Sequence, residues 1–187
     1  DMAGLEALLR DWERWAAELM ESHLSYPVLL YFRSQHEHQS WLGALTAILD
    51  ASALVMVGVD GGPARQAQLT FAMARHAVVD LAQATGIEPR APDPDRLPPE
   101  DFRSLRSHLI QHGVMLKDGT MAETTLAALR GLYEPYVARM AARLHLTLPP
   151  WRSPVDEADN WRTSAWESGA SGITGLSRHD LGDHPDL

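Results

Sequence analysis

The chain has 187 residues, an apolar share of 45% and a formal charge of −9, enough apolar material for one packed domain and too much for a disordered body. It contains no cysteine, which excludes disulfides, thiolate metal sites and a cysteine nucleophile. Nucleic acid is an unsuitable partner because no basic footprint exists. Seven acids against two arginines in residues 153–187 supply −5 of the charge.

Leu5, Leu8, Leu9, Trp12, Trp15, Ala16, Leu19 and Met20 recur at helical spacing, with Glu6, Arg10, Glu13, Arg14, Glu18 and Glu21 on the other side. This predicts an amphipathic helix from Leu5 to about His23. Ser25 as a cap and Pro27 in the first turn predict a short second helix to about His36. Ser40 caps a third, from Trp41 to about Gly58. Asp60-Gly61-Gly62-Pro63 is turn chemistry before a fourth helix, which runs to Ala84 and is ended by Gly86 in the left-handed conformation. Residues 87–99 hold five prolines and form a loop, since proline has no N–H and restricts its predecessor. A fifth helix follows from Glu100 to about Gln111. A sixth, from about Ala122 to Leu144, carries the stripe Leu126, Leu129, Tyr133, Tyr136, Met140 and Leu144, with a kink expected at Pro135.

The expected class is all-α, a compact bundle of about six helices over residues 1–148. An irregular Pro/Ser/Gly/Asp-rich acidic tail, 149–187, has its first half docked through Trp151 and neighbouring tryptophans. The chain opens at Asp1 rather than Met and reads as a piece of something longer. Trp41 to Val59 is 19 residues with only Asp50 charged, long enough to span a bilayer. A carboxylate at its centre would cost roughly 2.5–3.5 kcal/mol there, which favours the central helix of a bundle instead.

Two polar groups could carry chemistry. Arg33, His36 and His38 lie near a predicted helix junction. Two imidazoles two residues apart share no helical face, so chelation needs a loop. The spacing favours a structural or interface role, and neither metal nor cofactor is expected. The second group is Arg75, His76 and Asp80 on the fourth helix. His76 and Asp80 are four apart and share a stripe with Leu69 and Met73, which predicts that they point inward and meet Asp50. Such a polar cluster would be structural, or the base and orienting carboxylate of a ligand site. No G-x-S-x-G elbow, phosphate-cradling glycine loop or H-E-x-x-H is present, so no catalytic residue is assigned.

Trp12-Glu13-Arg14-Trp15, Glu21-Ser22-His23-Leu24-Ser25-Tyr26-Pro27 and Arg33-Ser34-Gln35-His36 carry a resemblance. So do Gln39-Ser40-Trp41-Leu42, Ala44 to Asp50, Leu69 to Ala77, Tyr133-Glu134-Pro135-Tyr136, Pro149-Pro150-Trp151 and Asp159-Asn160-Trp161. Over about residues 5–166 the chain resembles the soluble part of bacterial two-transmembrane, potassium-channel-family proteins. In that family two membrane helices and a K⁺ filter precede this region. No T-V-G-Y-G-like filter is present here, so this chain would not itself conduct. The resemblance implies a regulatory or assembly domain on the cytoplasmic side of the inner membrane. Its partners would be the pore domain of the same chain and copies of itself, as dimer or tetramer, with Trp151, Trp161 and Trp166 as interface anchors. A small-molecule ligand is left open. The competing readings are a metal-assisted hydrolase using His36, His38, His76 or Asp80, and a plain interaction module with an acidic tail.

Overall fold

The structure is a computed structural model that describes residues 2–32, 40–59, 61–114, 116 and 120–152. The chain divides into Asp1–Arg152 and Ser153–Leu187. The second unit, with Trp161 and Trp166, lies outside the described residues, as do Arg33, His36 and His38.

The described residues are all-α. The helices are α1 (Met2–Ser25), α2 (Trp41–Val57), α3 (Ala64–Ala84), α4 (Pro99–Gln111), α5 (Thr120–Gly131) and α6 (Glu134–Leu144), with a 3₁₀ turn at Pro27–Tyr31. An isolated antiparallel bridge joins Val59 to Leu116. Of the expected second helix, the described part is this 3₁₀ turn.

Helix α2 is the centre of the body. Leu42, Leu45, Thr46, Leu49, Ser52 and Ala53 form one face with no solvent-accessible surface. Gly43, Ile48, Asp50 and Val55 extend the buried part round most of the circumference, leaving Ala44 and Ala47 exposed, as suits a helix with neighbours on several sides. Helix α3 lies along both α1 and α2, while α5 and α6 also lean on α2. Among the described residues no helix is long and apolar enough to cross a membrane. Two buried threonine hydroxyls are matched to carbonyls: Thr46 Oγ1 donates to Leu42 O at 2.7 Å, and Thr70 Oγ1 to Leu9 O at 2.9 Å across the α1–α3 contact. Ser52 Oγ is buried with no partner among the described residues. Gln66 Nε2 adds a bond of 2.6 Å to Glu13 Oε2 between the same helices.

The predicted punctuation governs the ends. Ser40 Oγ accepts from Gly43 N at 2.9 Å at the start of α2. Pro99, expected as the last residue of the loop, is instead the first of α4, with Glu100 and Asp101 in the same turn, where acids meet the positive end of the helix dipole. Gly86 ends α3 at φ +64°, and Ile87 N reaches back to Ala82 O at 2.8 Å, the six-to-one bond of a Schellman close.

The expected single helix over 122–144 is two helices. Pro135 cannot donate to the carbonyl of Gly131, and its ring collides with that carbonyl in a continuous helix. Gly131 itself is a weak helix former. The chain therefore breaks at Leu132-Tyr133 rather than kinking. The restart puts Tyr133 and Glu134, 0% and 4% exposed, inside the body and next to Asp50.

Candidate functional site

The polar interior is built around Asp50, which α2 places among apolar side chains at 6% exposure. Its carboxylate is held by an arginine from the proline loop. Arg96 Nη2 lies 2.8 Å from Asp50 Oδ2, and Nη1 lies 3.3 Å from Oδ1. The Tyr133 hydroxyl donates to Asp50 Oδ1. Arg96 also donates to Glu134 Oε1 at 3.0 Å and to the Pro149 carbonyl at 3.0 Å. Glu134 in turn receives Arg130 from the last turn of α5, at 3.1 Å (Nε) and 3.0 Å (Nη2). Arg130 closes the group by donating to Leu97 O at 3.2 Å and to the Asp95 carboxylate. Trp151 stacks beside both guanidiniums, 5.9 Å from Arg96 and 5.7 Å from Arg130.

Three carboxylates and two guanidiniums thus tie α2, the proline loop, both sides of the α5–α6 break and the Pro149–Trp151 segment to one point. Burial pushes the Asp50 carboxyl upward. The hydrogen bond and charge of Arg96 and the Tyr133 hydroxyl oppose that rise without cancelling it. Burial, and then the Asp50 charge, push the Tyr133 phenol far up, so it is a fixed donor. Burial acts against Arg96 and Arg130, yet their carboxylate partners outweigh it and leave both firmly charged. Burial also lifts Asp95, but the Leu97 N–H and Arg130 more than reverse this and its net direction is down. Each polar group serves to hold another, so this is a clamp, and it fixes one arrangement of the loop on the helices.

The residues read from sequence distribute differently. Asp50 is buried as expected, but its partners are Arg96 and Tyr133 rather than Arg75 or His76. His76 and Asp80 do pair, at 3.3 Å, on the outer side of α3 with side chains 59% and 33% exposed. Arg75 Nε donates to Leu132 O at 3.1 Å. The inward stripe of α3 is Ala67, Thr70, Phe71, Ala74, Ala77, Val78 and Leu81. Leu69, taken as its inward marker, is 46% exposed, so the stripe sits on the opposite side from the expected one. Among the described residues no group of three or more His, Asp or Glu is placed to hold a metal ion. Trp151 is not a free anchor: it packs on the core, and its Nε1 is buried with no partner among the described residues.

His23 is a core histidine, 9% exposed. Its Nδ1 lies 2.9 Å from Leu19 O, and its ring is 5.1 Å from that of Trp41. Burial lowers its pKa from 6.5, with the Leu19 carbonyl opposing. A depressed folded-state value means that the stability this group contributes is present above 6.5 and is lost as pH falls from there through the folded-state value. Urea midpoints taken across that range should therefore fall more steeply for the native chain than for His23→Phe, which keeps the packing and removes the titration. Parallel curves would remove His23 from the account.

No protein-family model, curated protein or solved structure matches this chain.

Proposed function

We propose that this chain is a helical regulatory and assembly domain of a two-transmembrane, potassium-channel-type protein. In this reading it sits on the cytoplasmic side of the bacterial inner membrane and associates with copies of itself beside the pore. The supporting observation is an apolar edge after α1. Tyr26, Val28, Tyr31 and Phe32 are 67%, 61%, 69% and 64% exposed. They lie within and directly after the Glu21–Pro27 stretch that carries the resemblance.

The exposure has a local cause. Leu30 is 2% exposed and anchors the 3₁₀ turn, while Trp41 Nε1 donates to its carbonyl at 3.4 Å. Residues three apart eclipse in such a turn, so Val28 and Tyr31 present one face while Leu30 points away from it. Aromatic side chains gathered in water are characteristic of contact surfaces. A second copy is the occupant because channel subunits of two helices gather four around one pore. Tethering there gives a local concentration on the order of millimolar, at which a weak contact is populated. Regulation follows if the contact differs between two arrangements of the pore.

Light scattering over a concentration series tests this. The native chain should pass from monomer to dimer or tetramer, and Tyr31→Ser/Phe32→Ser should stay monomeric. A native chain that remains monomeric throughout, or a double variant that associates equally well, would count against it.

A further inference from the structure

A second feature runs against the sign of the whole chain. Two adjoining clefts, of about 630 and 370 Å³, open between the proline loop and α6; Arg90 and Arg139 line both. Arg143 lines the smaller. Arg139 and Arg143 are four apart on one face of α6, and Arg90 faces them from the loop, whose backbone is tied to α6 by Arg90 N donating to Pro135 O at 3.0 Å. Among the described residues none of these three guanidiniums has an ion-pair partner, in contrast to Arg96, whose charge is taken up by Asp50 and Glu134. The acids at the rims are Glu88 and Asp93. The walls of the larger cleft include Ala138, Ala142, Leu148 and Pro149.

We infer that this cleft is a binding site for a phosphate-bearing ligand with an apolar portion. Guanidiniums bind phosphate oxygens in pairs through a planar fork. Arg90 and Arg139, from two elements, serve both adjoining clefts, and Arg143 joins them in the smaller one. The apolar wall beside them suits a ring or chain attached to the phosphate. The larger cleft falls in the range of about 300–1,000 Å³ that small-molecule sites occupy. The site is also preorganised, since Arg96 holds the Pro149 wall by its carbonyl and the same guanidinium is locked on α2, which lowers the ordering cost of binding. The chemistry is shared by a soluble nucleotide and by an anionic lipid headgroup. The inference does not depend on the channel reading.

The test uses the full chain with three probes: ATP and inorganic pyrophosphate by titration calorimetry, and vesicles of equal parts phosphatidylglycerol and phosphatidylcholine by flotation. Arg90→Gln/Arg139→Gln is compared with Arg65→Gln, an exposed arginine at the start of α3. Arg90 and Arg139 are exposed, so the double variant should keep the native melting temperature. ATP or pyrophosphate binding that weakens by at least about tenfold in the double variant, and is unchanged in Arg65→Gln, supports a soluble ligand. Vesicle binding alone, lost in the same way, supports the site with a headgroup as its source. No binding of any probe, binding unaffected by the double variant, or an equal loss in Arg65→Gln would overturn the inference.

Discussion

Arg96→Met should cost the fold about 3–5 kcal/mol, the usual consequence of removing one partner from a buried ion pair. The substitution keeps the length and apolar stem of the side chain, so the loss reflects charge and hydrogen bonding rather than a void. It deprives both Asp50 oxygens, Glu134 Oε1 and the Pro149 carbonyl of a donor. Glu134 keeps Arg130; among the described residues Asp50 keeps only the Tyr133 hydroxyl. Its pKa is already raised above 3.8 and rises further without Arg96. An acid with a raised folded-state value favours the fold fully below its unfolded value, and that contribution is lost as pH rises through the folded-state value. The deficit in Arg96→Met should therefore be greatest at neutral pH and shrink towards pH 3.8. Asp50→Asn in the same chain should recover part of it, a coupling that a double-mutant cycle on urea midpoints reads directly. Arg96→Lys should rescue poorly, because an ammonium cannot bridge four acceptors in a plane. Independent, additive effects of the Arg96 and Asp50 substitutions would contradict the clamp.

Leu49→Ala should cost about 2–5 kcal/mol, the range for emptying a leucine site in a close-packed core. Leu49 has no exposed surface and sits one residue before Asp50, on a helix enclosed by its neighbours. Relaxation is restricted there because the adjacent clamp pins α2 to the loop and to the α5–α6 break, so the upper part of the range is expected. The substitution should leave self-association unchanged once folding is complete, because the Tyr26–Phe32 edge lies on another element. Urea unfolding of Leu49→Ala checks the first point, and a loss below about 1 kcal/mol would show that α2 is not central.

The helical class and most boundaries were legible because they rest on local chemistry. Ser40, Gly86 and Pro99 act through their own backbone neighbourhoods. The all-round apolarity of Trp41 to Val57 needs no tertiary knowledge to be read as a central helix. The α5–α6 break was half legible: Pro135 marked the place, but its lost bond and ring clash are compatible with either a kink or a break, and the weak helix former Gly131 beside it favours the break. The polar site was legible only at Asp50, whose burial follows from its helix. Its partners lie 46 and 83 residues away in sequence, and periodicity does not encode which distant arginine will turn inward. No local pattern singles out Arg96 or Arg130, and Tyr133 reads from sequence only as part of the apolar stripe of the sixth helix. The expected face of α3 failed for a related reason: Leu69 and Met73 are larger than Ala67, Ala74 and Ala77, but close helix packing here takes the small residues inward.

The absence of cysteine gives the most direct test of the assembly reading. Val28→Cys puts one thiol on the apolar edge, and Arg65→Cys puts one on the exposed start of α3. In either chain a disulfide, or a short bifunctional maleimide link, has to join two molecules. If copies meet through the Tyr26–Phe32 edge, Val28→Cys should become a covalent dimer much faster than Arg65→Cys, with the excess abolished by Tyr31→Ser/Phe32→Ser. Equal rates at the two positions, or no covalent dimer from Val28→Cys, would contradict the account.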